Sequence, residues 1–346
     1  MIKKRDIRNL TLKEVAAFCT ENKLPKFRAK QIWEWIWKKH ANSFEEITSL
    51  PKGTRILLNA HFSINIINIH KKETSQDGTI KYSFQLHDQL LVEGVLIPSK
   101  KRLTACISSQ VGCSLSCGFC ATGTLKLKRN VTAAEIYDQV YILNQEALLK
   151  FGRPLSNVVY MGMGEPLLNY KSVLDSVFFI TNKQGLGMSP KRITVSTAGI
   201  SKMIKKLGDD QVNFNLAISL HSASDTKRNL LMPLNKKINL SKLKEAVKYF
   251  YDKTGTRVTY EYILFKNIND SIKDAQKLVE FIKSTPCKIN LIEYNAVDEL
   301  TYKKSSNTIT KNFIEYLERQ NIIVNLRRSK GKDIAAACGQ LANKLK

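Results

Sequence analysis

Beyond residue 100 the chain alternates short apolar runs with longer stretches in which apolar residues recur every three or four positions. Segments 104–108, 158–161, 193–196, 214–220, 258–264 and 289–292 read as buried strands, and 133–147, 172–181, 240–251, 272–283 and 310–319 as amphipathic helices. A last strand is expected at 322–326. Repeated strand–helix units build a parallel sheet, so the expected class is α/β, a partial (β/α)6 barrel of the TIM type. In such barrels chemistry gathers on loops at the C-terminal ends of strands, which directs attention to the polar residues that follow each apolar run.

Upstream the pattern differs. Thr11-Leu-Lys-Glu14 is a capping box that opens an apolar-periodic run through Phe18, and Pro25 marks its exit. A second helix is expected over 31–38, carrying all three tryptophans at 33, 35 and 37. That spacing cannot place them on one helical face. Packing against the next domain is their expected role, with stacking on bases the functional option. Between 64 and 97 the period drops to two, giving strands at 64–69, 79–86 and 90–97 with turns at Asp77-Gly78 and His87-Asp88. The expected units are a helical module (1–62), a small linking antiparallel sheet (63–98), the barrel (99–333) and a tail (334–346).

With 346 residues, 43% of them hydrophobic, the chain can bury a sizeable core without covalent staples. Its balance of 55 Lys and Arg against 30 Asp and Glu, a net charge of +25, favours a polyanionic partner such as nucleic acid. Local clusters sharpen this: Lys126-Leu-Lys-Arg129, Lys191-Arg192, and Arg327-Arg328-Ser-Lys330-Gly-Lys332. No run is long and apolar enough for a membrane span or a signal peptide, so a soluble cytoplasmic protein is expected.

The most informative stretch is Cys113-Ser-Leu-Ser-Cys117-Gly-Phe-Cys120. Three thiolates in one loop can hold three corners of an iron–sulfur cube and leave the fourth iron open to a small chelating molecule. Structural zinc wants four ligands, usually in two short-spaced pairs, and no fourth lies nearby. Disulfides fit poorly with seven cysteines in a reducing compartment. Cys19 and Cys287 sit in apolar contexts as core thiols. Cys106 precedes the loop and Cys338 lies in a small-residue tail, Asp333-Ile-Ala-Ala-Ala-Cys338-Gly-Gln340, that can fold back over a barrel mouth. The residue pattern leaves both open between a buried small residue and a role. The same is true of Glu93, an acid inside an apolar strand; of His221, the one histidine of the barrel half; and of Gly162 and Gly164, either turn glycines or a weak phosphate signal.

Cys106-Ile-Ser-Ser-Gln-Val-Gly-Cys113 through Gly123, together with Met161-Gly-Met-Gly-Glu-Pro-Leu-Leu-Asn169, Ser219-Leu-His221 and Ala335-Ala-Ala-Cys-Gly-Gln-Leu341, resembles the radical S-adenosylmethionine enzymes, and among them the adenine-C2 RNA methyltransferases, over essentially the whole chain. The resemblance implies a [4Fe-4S] cluster on Cys113, Cys117 and Cys120, and two S-adenosylmethionine molecules per turnover. It implies that Cys338 accepts a methyl group and later carries the RNA adduct, that Cys106 resolves the adduct by disulfide formation, and that Glu93 accepts the C2 proton. Glu165, Pro166, Ser196, Ser219, Leu220, His221 and Asn295 match the S-adenosylmethionine contacts. The implied substrates are 23S rRNA near the peptidyl-transferase region and tRNA at the adenine next to the anticodon, bound with help from the N-terminal module. The implied partners include a flavodoxin or ferredoxin as electron donor, and the protein is expected to be a monomer. Two alternatives stand beside this reading: the C8-specific adenine methyltransferases of the antibiotic-resistance type, and a non-catalytic iron–sulfur protein that binds RNA.

Overall fold

The computed structural model describes residues 4–297 and 300–342; the parts of the first and last expected units at 1–3 and 343–346 lie outside them. Ten strands form one sheet in sequence order: β1 (Asn68–Thr74), β2 (Ile80–Gln85), β3 (Leu91–Pro98), β4 (Leu103–Cys106), β5 (Asn157–Tyr160), β6 (Ile193–Thr197), β7 (Asn215–Ser219), β8 (Val258–Leu264), β9 (Cys287–Glu293) and β10 (Val324–Arg327). From β4 to β10 every neighbouring pair is parallel. From β1 to β4 they are antiparallel. The strands read as a separate linking sheet are thus hydrogen-bonded continuations of the parallel sheet, because β3 pairs with β4 from Val95↔Cys106 to Pro98↔Leu103.

Three helices form the N-terminal module: α1 (Leu12–Glu21), α2 (Phe27–Trp37) and α3 (Lys52–His61). The barrel helices that return the chain between parallel strands are α4 (Ala133–Phe151), α5 (Tyr170–Thr181), α6 (Ser201–Asp209), α7 (Leu240–Thr254), α8 (Ile272–Ile282) and α9 (Asn307–Arg319). Local sequence explains where several begin. Thr11 with Glu14, Thr132 with Glu135 and Ser271 with Asp274 each satisfy two otherwise orphaned N–H groups at a helix start. Gly152 and Gly255 end α4 and α7 in the left-handed conformation.

Strand β8 shows how the sheet sorts its faces. All of it is buried, yet Tyr260 packs on Phe281 of α8 and Tyr262 on Phe313 of α9, while Glu261 and Ile263 point into a cavity inside the sheet. Alternation of period two assigns one set to the core and the other to the site.

The module docks through a buried charge knot. Asp138 of α4, wholly buried, accepts Nη1 of Arg8 at 2.8 and 2.9 Å, contacts Nε2 of His40 at 2.9 Å, and accepts the Ile67 N–H at 3.3 Å. Burial pulls its carboxyl up, but Arg8 and His40 outweigh burial and hold it below the usual carboxylate range. Asp6 also pairs with Arg8 and accepts the Asn65 N–H. Residues 65–67 therefore find partners in side chains rather than in a ladder, which is why the strand expected at 64–69 begins instead at Asn68. Beside the knot, Trp37 stacks on Phe179 of α5 at 3.6 Å and Trp33 lies 5.9 Å from the same ring. Trp35, on the other face, is only partly buried and donates to Ser49 Oγ.

Replacing Asp138 by Ala leaves Arg8 with Asp6 as its one carboxylate partner and removes the acceptor of the Ile67 N–H, so unfolding in urea should lose about 1.5–3 kcal/mol of stability. This contribution is present above the ordinary carboxylate pKa and is lost as pH falls through the depressed value of the folded state. A loss near zero would show that the knot does not hold the module.

Candidate active site

The C-terminal ends of the parallel strands surround a cavity of about 350 Å³. Its lining includes all five cysteines singled out above: Cys106, Cys113, Cys117, Cys120 and Cys338. Glu165, Pro166, Ser196, Ser219 and His221 line it too. Three expected site residues do not. Leu220 is fully buried behind the strand end, whereas Glu93 and Asn295 stand one layer back and reach the site through the tail.

The cysteine loop leaves β4 and is zipped to the loop that leaves β5. Gly162 N–H donates to Ile107 O at 3.0 Å, Ser109 N–H to Met163 O at 2.9 Å, and Glu165 N–H to the Gln110 side chain at 2.8 Å. A Cβ at Gly162 would stand 2.7 Å from Ile107 O, and one at Gly164, whose φ is +94°, 2.4 Å from Gln110 Cβ. These glycines serve close approach of two loops. The phosphate reading of Gly-x-Gly has no such geometric support.

Burial pushes the thiols up: Cys113 to about 11, Cys117 and Cys120 likewise upward, and Cys106 to about 12 through burial first and the neighbouring Cys338 second. A buried thiol keeps its proton until a metal takes that place, so loading metal here must release protons. Among the described residues no three His, Cys, Asp or Glu side chains are gathered closely enough for a single ion. Zinc would need each thiolate at about 2.3 Å, whereas a cluster sets its own irons and sulfides between the thiols. The trio therefore fits a cluster.

Glu165 is almost fully buried, and burial raises its carboxyl. Its Oε1 accepts the Leu167 N–H at 3.0 Å and its Oε2 the Ala198 N–H at 2.8 Å, so it ties the β5 loop to the end of β6. His221 has a φ of 54° and its Nδ1 accepts the Ile263 N–H at 3.1 Å, which leaves the proton on Nε2. Burial drives it down to about 3, so the ring is neutral. Asn295 donates Nδ2 to Cys338 O at 3.2 Å while its buried Oδ1 has no partner, an acceptor that a polar ligand would satisfy.

The tail crosses the cavity mouth and is tied at both ends. On one side Asp333 accepts from Ser75 Oγ at 2.6 Å and from Gln76 N–H, and Gly331 N–H donates to Asp77 at 3.0 Å. On the other, Ala121 N–H donates to Gly339 O at 2.7 Å, Thr122 Oγ1 to Leu341 O at 2.6 Å, and Ala342 N–H to Glu93 Oε2 at 2.8 Å. Cys338 sits between these ties.

Some functional neighbours were not foreseen from the residues. Arg327, noted only as part of a basic cluster, pairs inside the cavity with Glu261 at 3.3 Å. Asn290 also donates to Glu261 at 2.8 Å. Glu261 carried the same signal as Glu93, an acid inside an apolar strand. The basic clusters are partly paired within the chain: Arg129 with Asp88 and Glu135, Lys332 with Glu293 and Lys330 with Asp77, while Arg328 and Lys330 also line the cavity.

The Radical SAM superfamily matches residues 107–282, and a ribosomal RNA large subunit methyltransferase N-terminal domain matches residues 5–64. A solved radical SAM methyltransferase from Sphaerobacter thermophilus superposes with a TM-score of 0.92 at 35% identity, covering 98% of this chain and 100% of its own. Fold and cysteine loop together define a radical S-adenosylmethionine enzyme, whose cofactors are a [4Fe-4S] cluster and S-adenosylmethionine. A probable dual-specificity RNA methyltransferase RlmN from Flavobacterium psychrophilum is 52% identical over 99% of both chains. The dual-specificity RNA methyltransferase RlmN from Nitratidesulfovibrio vulgaris is 42% identical over 97% of this chain and 94% of its own. The chain belongs to the RlmN family of radical SAM RNA methyltransferases, and its substrate is RNA.

Replacing any one of Cys113, Cys117 and Cys120 by Ala should abolish iron and sulfide uptake on anaerobic reconstitution, while Cys19→Ala and Cys287→Ala should load normally. Full uptake by Cys117→Ala would remove the trio from the ligand set.

Proposed function

We propose that the protein methylates carbon 2 of adenine in 23S rRNA and in tRNA, with Cys338 as the carrier of the new carbon. The observation that supports this most is the placing of Cys338 and Cys106 in the same cavity as the cysteine trio, with the tail tied down on both sides of Cys338. Carbon 2 of adenine is an electron-poor ring carbon, so ordinary displacement on a methyl sulfonium does not reach it. When bound, the cluster and S-adenosylmethionine supply a transferable methyl group and, after one-electron reduction, a carbon radical able to take a hydrogen atom from an S-methyl group.

The chain's own residues supply the rest. Cys338 thiolate accepts the methyl group by nucleophilic attack. Its methylene carbon then bonds to C2, which tethers RNA to the tail. Glu93, two ladder positions from the β3–β4 junction and bonded to Ala342 next to the tail's end, takes the C2 proton. Once the adduct has given that proton to Glu93 and one electron to the oxidised cluster that would be bound at the cysteine trio, Cys106 thiolate attacks the Cys338 sulfur. The sulfur–carbon bond breaks with its pair on carbon, which takes a proton to become methyl, and a Cys106–Cys338 disulfide remains to be reduced before the next cycle. Arg327, between Glu261 and the two thiols, offsets thiolate charge, since it draws Cys106 downward against burial.

Glu165, Pro166, Ser196, Ser219, Leu220, His221 and Asn295 hold S-adenosylmethionine in this reading, Leu220 through its backbone. The cavity-lining Arg328 and Lys330 and residues 1–62 bind RNA through phosphate. Residues 63–98, 99–333 and 334–346 act as linking sheet, barrel and methyl-carrying tail. A flavodoxin or ferredoxin delivers electrons to a monomer in the cytoplasm. No helix among the described residues is long and apolar enough to cross a membrane.

Cys106→Ala should accumulate a covalent protein–RNA adduct on denaturing gels, and Cys338→Ala should give neither adduct nor product. Nucleoside mass spectrometry should find 2-methyladenosine. Normal turnover by Cys106→Ala, or a product methylated at carbon 8, would defeat the reading.

A further inference from the structure

Arg228 lies in a short helix, Asp225–Leu231, just beyond the end of β7, and is only 1% exposed. Its Nε donates to Leu220 O at 3.1 Å and its Nη1 to Asn235 Oδ1 at 2.7 Å. Its Nη2 donates to Ala198 O at 2.6 Å and to Ser219 O at 3.4 Å. Every one of these partners is neutral. Among the described residues no carboxylate stands within ion-pair distance of the guanidinium; Asp225, held by Asn235 Nδ2 at 2.8 Å, supports its charge only from further away. A buried charge with so little compensation opposes folding. Neutral donors would serve carbonyl oxygens without that cost, so the positive charge itself calls for an account.

The same helix touches the cysteine loop. Gly118 N–H, one residue past Cys117, donates to Leu231 O at 3.0 Å. Cys117 and Cys120 pack against the buried apolar cluster that contains Ala198 and Leu231, and Arg228 binds Ala198 O, so the guanidinium stands beside the cysteine loop; burial brings Arg228 down to about 10, still cationic at neutral pH. A cube held by three thiolates carries net negative charge, and reduction makes it more negative.

We propose that Arg228 is the buried counter-charge of the iron–sulfur cluster, a positioning residue whose fixed positive charge favours the cluster's reduced form. This rests on Cys113, Cys117 and Cys120 holding that cluster. In the iron-free chain only the more distant Asp225 offsets the cation; a cluster on the neighbouring loop would add the nearby negative charge it lacks. The arrangement also couples the cluster to the ends of β6 and β7, because one guanidinium binds both.

The test compares the full-length parent with Arg228→Gln and Arg228→Lys after anaerobic reconstitution, reading iron content and the midpoint potential by electron paramagnetic resonance titration. Loss of charge should make the potential more negative, lowering the reduced-to-oxidised ratio at a given potential about tenfold, equivalent to about 59 mV for one electron. Arg228→Lys, which keeps the charge but loses the planar fork, should stay within about threefold of the parent. Equal potentials in all three proteins, or equal shifts in both variants, would overturn the proposal and leave Arg228 a purely structural residue. Should Arg228→Gln hold no iron, the iron-free melting temperatures decide. A variant at least as stable as the iron-free parent supports a charge that serves the cluster; one less stable shows that the strand ends alone need it. A parent that loads no iron, or a Cys117→Ala variant that loads fully, would instead defeat the ligand assignment, a result distinguishable from either.

Discussion

The 2.7 Å hydrogen bond from Ala121 N–H to Gly339 O joins two parts of the chain more than two hundred residues apart. One end is the residue after Cys120; the other is the residue after Cys338. Together with the ties of Asp333 and Gly331 at the other end of the tail, this clasp holds Cys338 at the cavity beside the cysteine loop. The neighbouring bonds from Thr122 to Leu341 O and from Ala342 to Glu93 extend the clasp into β3. Each joins backbone to a short side chain or to backbone, so register is set by geometry and not by bulky packing, as a segment of small residues requires.

The scaffold beneath the clasp is the parallel sheet, and its design follows from alternation. Glu261 and Ile263 of β8 face the cavity while Tyr260 and Tyr262 pack on α8 and α9, so a cavity-lining residue and a core residue can be adjacent in sequence. Two interior ion pairs, Asp138 with Arg8 and Glu261 with Arg327, join segments distant in sequence. The first holds the N-terminal module on α4. The second stands beside Cys106 and Cys338.

Much of this was legible in the residues. The parallel strands from β5 to β9 fell close to the apolar runs, the capping box at Thr11 and the apolar period from Ile272 opened helices as read, and the cysteine spacing pointed to a cluster before any family resemblance. What escaped had a common physical cause: it depends on partners remote in sequence. The start of β1 moved to Asn68 because Asp6 and Asp138 claim the N–H groups of Asn65 and Ile67. Helices α3 and α6 were not read at all, and packing on neighbours decides such elements more than propensity does. Arg228 gave no signal, since a buried arginine in a polar heptapeptide looks like a solvated one until its carbonyl partners are in place. The glycines at 162 and 164 were seen, but their reason, the approach of two loops, exists only in three dimensions.

The central claim, that Cys338 carries the carbon that reaches RNA, is tested most directly by peptide mass spectrometry of the full-length protein purified from cells able to build its cluster. The account predicts that a fraction of the Cys338 peptide carries one methyl group on sulfur, and that no other cysteine does. A protein that methylates RNA normally while Cys338 is never found methylated would contradict it.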